Sequence, residues 1–148
     1  MLNTDKRDKN GRNMNKKPPK KTNNRQKIGQ IGENIASRFL MKQGFEILDR
    51  NYWKKWGEID IVAQKGGFIH FIEVKTVSHP LRDVSYETYR PEENVHPWKR
   101  KRLARVIQTY LLNKKVSDDI EWVIDIMAVF LDLPNKKAKI RITKDIIL

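Results

Sequence analysis

The chain has 148 residues, enough for one domain of ordinary size, and a formal net charge of +13 from 31 Lys and Arg against 18 Asp and Glu. So basic a chain is expected to seek a polyanion, either nucleic acid or an acidic membrane surface. It has no Cys, which excludes disulfides and thiolate metal sites and suits a reducing, cytoplasmic setting. No apolar run is long enough to span a bilayer and the Lys/Asn-rich N-terminus does not read as a secretory signal, so nucleic acid is the expected partner and a membrane is not.

Residues 1–25 read as a disordered basic tail. They offer almost nothing to bury, contain Pro18-Pro19, and hold +7 of the +13. The segment is either a solubilising extension or a non-specific nucleic-acid arm. A single domain is expected over 26–148. Ile28, Ile31, Ile35, Phe39 and Leu40 recur on one face and predict a helix over 27–43, capped by Gly44, with Phe45 packing back after the cap. "FEILDRNYW" reads as a short strand. Ile59, Ile61 and Ala63 then alternate with Glu58, Asp60 and Val62, predicting a strand over 58–63. Lys65-Gly66-Gly67 turns the chain into a second strand over 68–75. Residues 77–97 show no period and include Asp83, Glu87, Glu92 and Glu93, as a long loop would. Leu103, Val106, Ile107, Tyr110 and Leu111 form the stripe of a helix over 98–115. "EWVIDIMAVFL" and "AKIRITKDIIL" give two last strands around a turn at Pro134-Asn135-Lys136. The order is α-β-β-β-α-β-β: an α/β class with a central mixed sheet flanked by helices.

Carboxylates interrupt these apolar strands. Glu73 and Lys75 share a face of one strand, as Glu58 and Asp60 share a face of its neighbour. If the two strands pair as a hairpin, both sets converge. Two carboxylates from adjacent strands can offer oxygen ligands to a hard cation, Mg²⁺ or Mn²⁺, and a nearby lysine can orient a water or offset charge on a phosphoryl group. The plainer alternative is a cross-strand ion pair on a solvated sheet face. Asp125 interrupts its strand in the same way, and either pairs with a basic side chain or supports the site from behind. Lys99, Arg100, Lys101, Arg102 and Arg105 crowd the first turns of the second helix, where positive charge opposes the helix dipole; a polyanion partner would account for them. Tyr52, Trp53 and Trp56 are either strand packing or a stacking platform for single strands. His70, His79 and His96 have no metal-site spacing.

"GEID" (57–60), "FIEVKT" (71–76), "KRKRLARVIQTYL" (99–111) and "VIDIMAV" (123–129), preceded by "IGENIASRFLMKQGFEILDRNY" (31–52), resemble in this order the YraN family of bacterial proteins. That family is assigned to the restriction-endonuclease-like superfamily of PD-(D/E)xK nucleases. The likeness covers about Ile28 to Leu148. It implies a restriction-endonuclease-like fold, a metal-binding role for Asp60 and Glu73, the lysine of the motif at Lys75, and Glu33 completing the site from the first helix. Glu33 would otherwise simply favour the first turns of its helix. Glu58 ranks below Asp60, as a ligand or a supporting group. The sequence departs from the family at Lys75-Thr76-Val77, where Lys-x-Arg is common, and so lacks a basic group that could touch a phosphate. The reading that follows is a metal-dependent nuclease acting on DNA, including repair or branched intermediates. The alternatives are a nucleic-acid-binding module that keeps the fold without turnover, and a basic adaptor docking on a protein partner. A homodimer is compatible with each.

Overall fold

The computed structural model describes residues 7–14, 16–18, 23–78 and 97–144. Its first helix is set by its ends. The Asn23 side chain accepts the Gln26 N–H at 2.9 Å, while the Gln26 side chain accepts the Asn23 N–H, a reciprocal capping box. Helix α1 (Asn24–Lys42) therefore begins three residues ahead of the expected start. It stops where Gly44 takes φ +89°, with the Gly44 N–H on the Met41 carbonyl and the Phe45 N–H on the Leu40 carbonyl. Phe45 then packs beside Leu40, as the sequence predicts.

The remaining elements are β1 (Glu46–Lys54), β2 (Gly57–Lys65), β3 (Phe68–Ser78), α2 (Pro97–Asn113), β4 (Trp122–Asp132) and β5 (Lys137–Thr143), in the expected order. Gly66 and Gly67, at φ +60° and +81°, form the two-residue turn between the paired Lys65 and Phe68. The strands make one sheet in the order β1-β2-β3-β4-β5, with β3 and β4 parallel and every other pair antiparallel. Parallel neighbours need a long crossover, and α2 lies within it. The architecture is a mixed α/β sheet with two helices, consistent with a restriction-endonuclease-like fold. β3 extends to Ser78 and α2 starts at Pro97, so both ends of the expected 77–97 loop belong to regular elements. The loop's acidic residues Asp83, Glu87, Glu92 and Glu93, with His79 and His96, lie outside the described residues. No helix among the described residues is long and apolar enough to cross a membrane.

Each face of the sheet buries its own cluster. Val62, Ile69, Phe71 and Ile124 pack with Val106, Ile107 and Tyr110 of α2. Ala63, Ile72, Met127 and Val129 pack with Ala36 and Leu40 of α1. This is the two-sided burial that the long apolar run of β4 demands. Within β2 alternation breaks once. Ile59 and Val62, three residues apart, both pack on the α2 side, whereas Ile61 and Ala63 pack on the α1 side. The sequence reading put Ile59, Ile61 and Ala63 on one face. Across the ladder, Asn51 takes φ +54° between the Arg50–Ile61 and Tyr52–Ile59 pairs, a left-handed residue that reverses the strand's facing at the level of Asp60. At that level β2 also parts from β3, since their last registered pair is Ile61–Ile72.

Candidate functional site

Glu73 sits on β3 opposite Ile126 of β4, just past the last registered pair with β2, and its side chain points to the α2 side in step with Ile69 and Phe71. It is 8% exposed, which for a carboxylate requires compensation. Two lysines supply it. Lys99 Nζ, from the first turn of α2, lies 2.7 Å from Glu73 Oε1, and Lys75 Nζ lies 3.9 Å from the same oxygen. Burial works against the charge of Lys99, but Glu73 holds its pKa above the ordinary lysine value. Lys75 moves the other way: burial and the adjacent Lys99 ammonium lower its pKa. Lys75 is therefore the more readily deprotonated of the two.

Asp60 stands where β2 leaves β3. Its Oδ2 accepts the Val74 N–H at 2.8 Å, which ties the end of β2 to the residue after Glu73. Burial pushes the Asp60 carboxyl well above the usual carboxylate range, and the charges of Glu73 and then Glu33 push it further; the Val74 hydrogen bond opposes them. Glu33 is half-buried on α1, and its pKa is also raised, chiefly by burial, against the pull of Arg50 and a hydrogen bond from Asn51. Gly32 is what lets α1 bring Glu33 so close. A Cβ at Gly32 would overlap the Thr76 side chain, so only glycine allows the helix to lie this near β3.

The candidates from the sequence thus separate into two groups. Asp60, Glu73, Lys75 and Glu33 come together, from β2, β3 and α1. Lys99 joins them, although the sequence suggested it only as a phosphate-facing residue; nothing in a helix-start Lys announces a partner on a distant strand. Glu58 lies nearer the solvent and pairs with Lys17 of the N-terminal segment at 3.0 Å. Asp125 is on the opposite face, buried, with Oδ2 2.7 Å from His70 Nδ1, so the basic partner expected for it is a histidine that sequence spacing did not mark. Tyr52 is core, edge-on to Tyr110 at 4.9 Å, and Trp56 donates its indole N–H to Thr109 at 3.1 Å. These two pack rather than form an open platform. Arg102 donates to the Trp56 carbonyl and lies over Trp98, and Arg105 lies 4.8 Å over Trp56, while Arg100 lines a cleft of about 430 Å³ beside Glu73 and Lys101 is exposed.

Chemically, Asp60, Glu73 and Glu33 are hard oxygen donors whose charges disfavour one another. Among the described residues no three or more His, Cys, Asp or Glu side chains are arranged to hold a metal ion. Asp60 and Glu73 are nevertheless oxygen donors of the type that a small divalent cation takes in pairs while keeping several waters, and such a charge would offset the Glu73 repulsion that adds to burial at Asp60.

Residues 32–129 match the model of the uncharacterised protein family UPF0102. A UPF0102 protein of Campylobacter fetus is 41% identical over 69% of this chain and 82% of its own length. One from Wolinella succinogenes is 39% identical over 60% of this chain and 74% of its own. One from Alkaliphilus oremlandii is 40% identical over 77% of this chain and 92% of its own. The matched span runs from the close-packed Gly32 through Asp60, Glu73, Lys75 and Lys99 to the middle of β4, and on that match the chain belongs to the UPF0102 family, which is the YraN family.

Proposed function

We propose that the protein is a metal-dependent nuclease that hydrolyses phosphodiester bonds in DNA. The observation that carries this reading is the acidic group itself: Asp60, its carboxyl raised by burial and then by Glu73 and Glu33, with Lys75 and Lys99 at its edge. A fold stores unfavourable like charge of this kind where a ligand is to relieve it. Asp60 and Glu73 would hold Mg²⁺ or Mn²⁺, with Glu33 contributing from α1; when bound, the cation would supply Lewis-acid charge at the phosphoryl oxygens. The remaining work falls to the chain's own groups. The Val74 N–H fixes the Asp60 carboxylate. Lys75, with its pKa lowered by burial and by Lys99, is suited to orient a water and take up its proton. Lys99 keeps positive charge where a phosphate would approach.

A second reading has its own observation. Lys99 Nζ, 2.7 Å from Glu73, already neutralises one of the two proposed ligands, which suits a nucleic-acid-binding module that keeps the fold without turnover. One experiment separates the two. Calorimetric titration with Mg²⁺ and Mn²⁺ should show binding at up to millimolar cation that Asp60→Asn or Glu73→Gln weakens. Cleavage of duplex, single-stranded, flap and four-way DNA should fall by about a hundredfold or more in Lys75→Ala while metal binding persists. Cleavage that survives Glu73→Gln and Lys75→Ala, or no metal binding in the wild type, would end the nuclease reading in favour of the binding module.

A further inference from the structure

The cleft beside Glu73 has a composition that the acidic group does not explain. It is about 430 Å³, enough to enclose a nucleobase with part of its sugar. Trp53 of β1 and Trp98 of α2 stand on its walls, and Leu103 and Ile126 give it an apolar floor. Its charged lining is five cations (Lys17, Lys55, Lys99, Arg100, Arg102) against two carboxylates, Glu58 and Glu73. Both carboxylates are already paired, Glu58 with Lys17 and Glu73 with Lys99. Lys55, Arg100 and Arg102 therefore set the sign of the cleft. Two further features point to an absent ligand. Trp98 is 58% exposed, so its indole stands open to a stacking partner. The Arg100 Nε is buried yet has no hydrogen-bond partner among the described residues.

From these observations we infer that the cleft is a slot for an unpaired nucleotide: the base stacks on Trp98 and the adjoining phosphate is held by Arg100 and Lys55. The inference rests on the nuclease reading and narrows its substrate to nucleic acid with a single-stranded segment. Aromatic faces stack on any base, and a stacked base in a duplex cannot enter a walled cleft, so the slot selects strand state rather than sequence. Arg102, which also lines the cleft, lies over the Trp98 ring at 5.7 Å and steadies the indole. Glu73 lines the same cleft, so a nucleotide seated there brings its backbone to the edge of the acidic group.

The test is binding in EDTA, where cleavage plays no part. Fluorescence anisotropy of the full chain is measured with labelled twelve-nucleotide dT, the matching oligo-U and a twelve-base-pair duplex at one salt concentration. The dT strand should bind more tightly than the duplex. Trp98→Ala should lose about tenfold or more of the single-strand affinity and leave duplex affinity within about twofold, and Trp98→Phe should recover most of the loss. Arg100→Ala should weaken single-strand binding as well. The oligo-U arm assigns the slot to both nucleic acids if it matches dT and to DNA if it does not. Duplex preference, or equal losses on single strand and duplex in Trp98→Ala, would overturn the slot. The two readings fail separately: cleavage of duplex with no Trp98 effect removes only the slot, and Trp98-dependent single-strand binding without metal-dependent cleavage removes only the nuclease.

Discussion

Asp60 and Asp125 each interrupt an apolar strand, and in the sequence they look alike. In the fold they meet opposite company. On the α1 side, Asp125 is buried against His70, which itself packs edge-on to Phe45 at 4.9 Å. Asp60 instead is buried beside Glu73 and Glu33, and the Val74 N–H and the nearby Lys75 and Lys99 do not offset them. The first arrangement is a satisfied polar pair and the second is not. Burial alone therefore does not mark a functional carboxylate; the sign of its neighbours does.

The largest stability effect is expected where the pair is satisfied. Asp125→Ala strands the half-buried His70 and should cost about 3 kcal/mol in urea unfolding, while leaving metal binding intact. If metal binding falls in parallel, Asp125 belongs with Asp60 and the contrast dissolves. Gly32→Ala comes next, because it forces a methyl into Thr76 and should cost about 2 kcal/mol. Thr76→Ala in the same chain should return most of that loss, and additive losses would show that the two residues are not in contact.

Asp60→Asn should have the opposite sign. The substitution keeps an oxygen for the Val74 N–H and removes the disfavoured charge, so it should stabilise the metal-free protein by about 1 kcal/mol at neutral pH. The pH dependence follows from the raised pKa. An acid whose folded pKa exceeds its unfolded value costs stability only once it ionises, so the advantage of Asn should be absent below about pH 3.8, the ordinary carboxyl value, and grow as pH rises above it. Asn that destabilises at neutral pH would place Asp60 in the same class as Asp125. The smallest effect is expected from Lys17→Ala. Its ion pair with Glu58 is about half exposed on both sides and should contribute within about 0.5 kcal/mol. Deleting residues 1–22, which keeps the Asn23 capping box of α1, should likewise hardly move the thermal midpoint, yet flatten the salt dependence of DNA binding.

Much of this was legible in the chain because strand alternation and hairpin turns are local. Glu73 and Lys75 share a face by period alone, and Gly66-Gly67 announces the turn that brings β2 back against β3. The facing of Ile59 was not legible, because the period breaks opposite Asn51, whose positive φ lies on the neighbouring strand and leaves no mark in the pattern of β2 itself. Lys99 on Glu73 and His70 on Asp125 were hidden for a different reason. They are separated by 26 and 55 residues, and only the packing of α2 and the register of β3 with β4 bring them together. Trp98 opens the predicted second helix and has no local pattern that marks it; its exposure becomes informative only once the cleft beside it is known.

The seam between β3 and β4 also sets an order of events. Ile69 pairs with Trp122 and Ser78 with Leu131, a constant separation of 53 residues along the whole seam. The β1-β2-β3 meander needs only short loops, so Asp60 and Glu73 can meet early, through contacts between neighbours in sequence. The seam must close a far longer loop before any of its hydrogen bonds form, so it is expected to be the slower step of folding. On that order Lys99, carried on the crossover, would reach Glu73 after the acidic residues have gathered. In a refolding experiment the acidic group would exist for a time without its cation, and protonation, salt or added Mg²⁺ would act on the rate of that last closure.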